Sequence, residues 1–347
     1  MSQQRTEIQT LGEFGLIDRL SRNFSLHQPT SVKGIGDDAA VIDIGAEYLV
    51  VSTDLLLEGI HFDLAFTPLH HLGHKSVSVN VSDIAAMNGK AEQVVVSIAL
   101  SNRFSVEAVE ALYDGIRAAC EQYGVDLVGG DTSASHSGLL ISVTVLGRVA
   151  KDKVAYRSGA KPNDIICVTG DLGASYIGLQ VLEREKEVFM TNPEMQPSLE
   201  KYSYPVGRQL KPVARMDIVH ELADMGIVPT AMIDVSDGLA SDLFHIGKQS
   251  NVGARLFEDK IPIDQAVYET SALEFKIDPM TCALNGGEDY ELLFTISPQD
   301  FEKIKNHPDI HMIGYVHDKP GEFVLVSKQG TVVPLQAQGW NHFRAQA

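Results

Sequence analysis

Two mixed α/β units in an α+β arrangement are what this sequence predicts, on three observations. From Asp37 to Ala150 the hydrophobic period switches repeatedly between strand-like alternation and helix-like spacing, which fits layers of sheet and helix and not a bundle. A polar, basic stretch, KDKVAYRSGAKPND at 151–164, carrying Gly159 and Pro162, then interrupts the pattern and marks a crossing near Lys151. Beyond it strand and helix patterns resume. The first unit is accordingly placed at 1–150 and the second at 151–347.

Within the first unit, AAVIDI, EYLVVSTD, EQVVVSIAL, VDLVGG and GLLISVTVLGRV carry the β-branched, alternating pattern of strands. Two helices separate them. One surrounds HKSVSVNVSDIAAM; the other runs 106–123, where Ser105 can cap the first turn, Glu107 and Glu110 sit near the positive end, and Gly124 stops it. In the second unit IICVTG reads as a strand, the turn GDLGAS opens a helix, and another helix lies near 214–226. AMIDVSDG then leads from a strand into the helix LASDLFHIGKQS. Residues 186–205, rich in Pro, Met and Glu, read as a mobile connection.

A chain of 347 residues, 44% hydrophobic, can furnish two ordinary cores. Its 28 basic and 46 acidic side chains leave a net charge of −18, which repels a nucleic-acid backbone and requires any nucleotide site to bring its own positive charge. The N-terminus MSQQRTEIQT has no apolar signal core, and runs such as LLISVTVLG fall short of a membrane span. Neither nucleic acid nor a membrane is expected as a partner. Cys120, Cys167 and Cys282 are odd in number and lack CxxC spacing, which suits a reducing, cytoplasmic setting.

The most informative feature is acidic residues at the ends of apolar runs: GIGDDAA at 34–40, STD at 52–54, SD at 82–83, GGDT at 129–132 and DVSDG at 234–238. Carboxylates gathered from distant segments repel one another unless a hard cation sits among them, and oxygen-only ligation suits Mg²⁺. Ser52, Thr53 and Asp54 read as the end of a strand, where open α/β sheets place ligands, and Asp54 is the first expected metal ligand. Asp37 and Asp38 face opposite ways in extended chain, so one of them, Asp38, is expected to reach the same metal, with Gly34 and Gly36 letting backbone approach phosphate.

Other acidic positions leave two readings open. Asp83 falls in the apolar helical pattern Val77, Val81, Ile84, and either faces solvent or binds something. Gly129, Gly130 and Asp131 read as a small-residue turn, able to meet phosphate and a cation or simply to turn the chain. Asp234 ends a strand while Ser236 and Asp237 lie at a helix start, where capping is the rival role. In LNGGEDYELLF, Glu288, Asp289 and Glu291 follow what could be a plain hairpin at Asn285 and Gly286. A lone aspartate at any of these places is more often a cap or turn residue; their joint occurrence argues for phosphate chemistry.

Taken in order, GIGDD, STD followed by GIHF, NVSDIAAM, GGDT, RSGAKPND, IDVSDGL and GGEDYEL resemble the thiamine-monophosphate kinase family of the aminoimidazole ribonucleotide synthetase-like superfamily, over a span from about GEFGLIDRL to GWNHF. The resemblance implies a two-domain fold whose N-terminal sheet joins that of a second copy in a shared β-barrel, giving a homodimer, with a C-terminal α/β domain. It implies ATP-dependent phosphorylation of thiamine monophosphate with several Mg²⁺ ions. Asp38, Ser52, Thr53, Asp54, Asp83, Asp131, Asp234 and Asp237 match the metal ligands. Tyr113, Gly130, Asp131, Arg157 and Ser236 match ATP contacts, and Asp54, Asp131, Arg157 and Asp237 are the expected catalytic set. His61, Glu288 and Trp340 should meet the acceptor, whose thiazolium and aminopyrimidine suit an aromatic face and a carboxylate.

Plain readings stand beside these: His61 as a strand-edge surface histidine, Trp340 packing the tail. The cluster His70, His71, His74 lies outside the family pattern and is expected to be solvated. Departures are NVSD for NLSD, PND for PGD, and AMNGK, whose Asn88 questions the local helix end and not Asp83. The acceptor phosphate, with a second pKa of about 6, is already ionised at neutral pH, so direct in-line transfer without a base is expected. Rival activities are a sister reaction of the superfamily, a metal-dependent phosphohydrolase, or a nucleotide-binding module without catalysis. Selenophosphate formation and hydrogenase maturation need a cysteine near the N-terminus or at the extreme C-terminus, and none of the three is so placed.

Overall fold

In the computed structural model, which describes residues 7–337, a short helix α1 (Gly12–Ser21) precedes a six-stranded sheet. This sheet comprises β1 (Ser31–Lys33), β2 (Ala40–Asp43), β3 (Glu47–Leu57), β4 (Lys90–Leu100), β5 (Asp126–Ala134) and β6 (Leu140–Ala150), with α2 (Leu69–Ala86) after β3 and α3 (Val106–Tyr123) after β4. The strand order is β1-β2-β3-β6-β4-β5, antiparallel except for the β4/β5 pair. The alternation in GLLISVTVLGRV is realised in β6, where Ile141, Val143 and Val145 are buried and the residues between them are not.

Helix α2 lies across β3, β6 and β4 and is buried on nearly every side. Its close fit against α3 depends on two glycines: a Cβ on Gly73 would come to 2.0 Å from the Leu112 carbonyl oxygen, and one on Gly115 to 1.9 Å from that of His70. Ser105 caps α3 by accepting from the Ala108 N–H, and Gly124 ends it in the left-handed region at φ 65°.

The second sheet has seven strands: β7 (Ile165–Thr169), β8 (Ala231–Asp234), β9 (Gly253–Phe257), β10 (Leu292–Ile296), β11 (Ile310–His317), β12 (Phe323–Val326) and β13 (Val332–Pro334). Their order is β13-β12-β9-β11-β7-β10-β8, with β12/β9 the parallel pair. The intervening helices are α4 (Ala174–Thr191), α5 (Ser203–Leu210), α6 (Met216–Asp224), α7 (Leu239–Ser250), α8 (Gln265–Glu269), α9 (Pro279–Asn285) and α10 (Pro298–Ile304). One apolar cluster runs from Val77, Val94 and Val145 to Cys167, Met232 and Phe294, so α2 is held between the two sheets. That placement sets residues on α2 against the end of β8.

Several expectations need correction. β3 continues to Leu57 because β6 pairs with it throughout, so Asp54 lies inside a strand and not at its end. Gly129, Gly130 and Asp131 belong to β5 and form no turn; a Cβ on Gly130 would come to 1.9 Å from the Val96 carbonyl oxygen. Residues 284–292 are no hairpin: α9 ends at Asn285, and Gly287, at φ 73°, passes so close to Ser236 that a Cβ would come to 2.6 Å from its carbonyl oxygen. The segment 186–205 is partly anchored, since α4 runs to Thr191 and Tyr202, buried, packs with Val206 and Leu210 against Val181 and Leu182. Among the described residues no helix is long and apolar enough to cross a membrane.

Candidate active site

Four segments bring carboxylates to the seam between β3, α2 and β8. One oxygen each from Asp38, Asp83 and Asp234 lies within 4.8 Å of the others. Asp38 follows the glycine-containing turn before β2, Asp83 sits near the end of α2, and Asp234 ends β8. Period-two geometry sends Ser52 and Asp54 of β3 to the face that meets α2: Ser52 Oγ donates to Asp83 Oδ2 at 2.5 Å, and the Asp54 N–H donates to Asn80 Oδ1 at 3.0 Å. From α2, Ser82 Oγ donates to Asp234 Oδ2 at 2.7 Å.

The positive charge here comes from Arg157, whose Nη2 donates to Asp38 Oδ1 at 2.7 Å and whose N–H donates to Asp37 Oδ1 at 3.0 Å. Asp37 and Asp38 therefore do diverge, Asp37 turning to the Arg157 backbone and Lys33. Burial pushes Asp38 up to about 7 against the pull of Arg157, and raises Asp54 and Asp234 to about 6. Asp83 is driven well above the ordinary range by burial and then by Asp54, Asp234 and Asp38. Burial, then Glu13, lifts Asp237 to about 6. Among the described residues Asp38 Oδ2, which is buried, has no hydrogen-bond partner. An all-oxygen donor set, short of positive charge and holding an unsatisfied buried oxygen, fits a hard divalent cation.

Other expected site residues lie around or away from this group. Thr53 points to the opposite side of β3, its Oγ1 donating to the Val143 carbonyl at 3.1 Å, so its hydroxyl is not gathered with Ser52 and Asp54. Asp131 is exposed on β5 and lies outside the carboxylate group. The helix after Asp237 is entered through Gly238, at φ 105°, with no side-chain cap, so the capping role considered for Asp237 is not taken. Ser236, half-buried, accepts the Glu288 N–H through its carbonyl at 2.8 Å. Tyr113 lines a shallow depression with Phe104, Val106 and Val109. His61 accepts the Leu57 N–H at Nδ1, 3.0 Å, just beyond β3. Trp340 lies outside the described residues.

Glu288 turns toward Lys75 and Gln209, whereas Asp289 accepts the N–H groups of Gly173 and Ser175 at the start of α4, a structural role. The histidine cluster is not uniformly solvated: His70 is exposed, but His74 is fully buried, with Nε2 3.0 Å from Gln122 Oε1 and Nδ1 3.1 Å from Ser78 Oγ. Those partners lie 48 and 4 residues away and account for its polarity without a metal. Sequence reasoning missed Asp242, 1% exposed, which accepts the Asp237 N–H at 3.3 Å and is raised well above the ordinary range by burial and by Asp237. A signal existed: Asp242 falls on the stripe of Leu239, Leu243 and Ile246 along α7.

Fold and site together define a class, that of the AIR synthase related proteins: residues 36–149 match its N-terminal domain family and residues 161–327 its C-terminal domain family. Thiamine-monophosphate kinase of Bacillus subtilis is 36% identical over 343 residues, covering 96% of this chain and 100% of the relative. That of Aquifex aeolicus is 34% identical over 336 residues, with 97% and 99% covered. The solved structure of AaThiL complexed with AMPPCP and TMP is similar with a TM-score of 0.82 at 32% identity, covering 99% of this chain and 100% of that one. The chain belongs to the thiamine-monophosphate kinase family.

Proposed function

We propose that this chain transfers the γ-phosphoryl group of ATP to the phosphate of thiamine monophosphate, releasing ADP and thiamine diphosphate. The observation that carries the reading is the convergence of Asp38, Asp83 and Asp234, in a family with a solved relative that binds AMPPCP and TMP. Asp38, Asp54, Asp83, Asp234 and Asp237 are the groups that would hold magnesium, which when bound neutralises phosphate charge and lowers the repulsion between two anions. Ser52 and Ser82 orient Asp83 and Asp234 for that task. Arg157, fixed between Asp38 and Asp37, presents its guanidinium to the polyphosphate. Tyr113, Gly130 and Ser236 are assigned to ATP, the depression at Tyr113 offering an apolar face for a base. His61, Glu288 and Trp340 are assigned to the acceptor.

A homodimer belongs to this reading. Asp54 pairs with Val143, Val143 with Val96, and Val96 with Gly130, so within one chain Asp131 lies roughly 14 Å along the sheet from Asp54. It reaches a shared magnesium if a second copy lays its own β5 alongside. The open β5 edge, with Leu127 and Val128 exposed at 43% and 59%, and the exposed Leu55 and Leu57 of β3 support a barrel shared between copies. The unit boundary near Lys151 agrees with the gap between the two family matches. The three free cysteines suit the cytoplasm.

Pure protein incubated with ATP, Mg²⁺ and thiamine monophosphate is expected to accumulate thiamine diphosphate and ADP in equal amounts. Release of inorganic phosphate without the diphosphate would assign a phosphohydrolase. Calorimetric ATP binding with no product from any acceptor would assign an inactive module. Sedimentation showing monomer alone at micromolar concentration would remove the dimer.

A further inference from the structure

Behind Glu288 lies a buried polar network that the aspartate group does not use. Lys75, on α2 and 3% exposed, donates to the Gln209 carbonyl at 3.2 Å and pairs with Glu288 Oε1 at 3.1 Å. Gln209, on α5 and 6% exposed, donates from Nε2 to Glu288 Oε2 at 2.9 Å, while its own Oε1 accepts from the buried Ser175 hydroxyl on α4. Three helices thus frame one side chain. A solvated carboxylate needs no such frame, and burying an ammonium is costly unless it is paired. The backbone is committed too: Glu288 sits in the left-handed region at φ 56° without being glycine, tied down by its N–H to Ser236.

Both oxygens of Glu288 are therefore held from one side, while 31% of its side chain remains exposed. A carboxylate whose charge is matched by Lys75 is a poor counter-ion for a second full cation, yet each oxygen keeps a lone pair for an N–H donor. We propose that Lys75 and Gln209 are positioning residues that hold Glu288 as a directional acceptor for an N–H of the acceptor's aminopyrimidine, and so set specificity for an amino-bearing ring. This inference rests on the kinase reading above. The thiazolium charge is then met elsewhere.

The test compares wild type, Lys75→Met, Lys75→Arg and Gln209→Leu, each confirmed folded by a cooperative thermal transition. Each is assayed with Mg²⁺ and ATP on thiamine monophosphate and on its analogue carrying a ring carbonyl in place of the amino group. Wild type should prefer the amino acceptor by at least about a hundredfold in kcat/KM. Lys75→Met should raise KM for thiamine monophosphate about tenfold, leave KM for ATP within about twofold, and narrow the preference about tenfold. Lys75→Arg should recover part of the preference, and Gln209→Leu should move it in the same direction as Lys75→Met. Folded Lys75→Met and Gln209→Leu proteins that keep the wild-type preference, or lose kcat and ATP affinity alike, overturn the proposal. If Lys75→Met does not fold, the ratio in Gln209→Leu decides. A wild-type protein that makes no thiamine diphosphate fails the kinase reading instead, and does so before any variant is compared.

Discussion

Two groups of buried carboxylates meet at the segment 288–291, one within it and one beside it, and the chain treats them differently. On one side Glu291 pairs with Arg215 at 2.7 Å and Arg208 at 2.9 Å and accepts from Thr169, while Asp289 takes two N–H groups from the start of α4. On the other, Asp38, Asp54, Asp83 and Asp234 share Arg157 and two serine hydroxyls. Burial lifts Asp289 to about 7, much as it lifts Asp38, so burial alone does not separate the groups. What separates them is counter-charge. The first group is matched by its arginines; the second has one arginine against four carboxylates, an imbalance that the proposed magnesium would offset.

The largest expected effect follows from the second group. Asp38, Asp54, Asp234 and Asp237 have folded pKa values of about 6 to 7 against an ordinary 3.8. Between those limits the folded protein binds more protons than the unfolded chain, so this stability is complete below 3.8 and is lost as pH rises through 6 to 7. Chelator-treated protein should melt at progressively lower temperature from pH 5 to pH 8, and magnesium should flatten that slope by replacing the protons. A melting temperature that climbs over this range would break the contrast.

Arg215→Met probes the first group. Leaving Glu291 with half its counter-charge should cost about 3–5 kcal/mol in urea unfolding. A loss under about 1 kcal/mol would mean that Arg208 alone suffices. In the second group, Asp54→Asn should lower kcat by at least about a hundredfold, with far-UV circular dichroism unchanged. Near-normal turnover would remove Asp54 from the chemistry.

How much of this contrast was legible in the sequence depends on the distance between partners. The alternation of β6, the Ser105 cap and the presence of acidic residues in the segments that form β3, α2 and β8 are local patterns, and local patterns survive in a one-dimensional reading. The matching cations do not. Arg215 lies 76 residues from Glu291, and Lys75 meets a carbonyl 134 residues away. For the same reason GGEDYEL offered no way to see that Asp289 caps a helix 114 to 116 residues upstream while Glu288 turns to Lys75 and Gln209. The exposed edge β5 misled differently: Gly129 and Gly130 read as a turn, but they lie in a strand, where Gly130 lets β4 approach. Short strands such as β1, β12 and β13 were not assigned, their three or four residues being set by pairing across the sheet.

The smallest effect sharpens the comparison most, because it turns on sign. Asp83 is driven up by burial and by three neighbouring carboxylates, while its carboxylate accepts a hydrogen bond from Ser52. In Asp83→Asn the amide oxygen still accepts from Ser52, the repulsion is gone and the shape is kept. Metal-free Asp83→Asn should therefore be more stable than wild type at pH 7.5, by about 1 kcal/mol, and should gain less from added magnesium. The amide change at Glu291 replaces one of two oxygens, each facing its own arginine, with an amide nitrogen, and should destabilise. Equal signs in the two variants would show that both groups are matched, and magnesium would then have no vacancy of charge to fill.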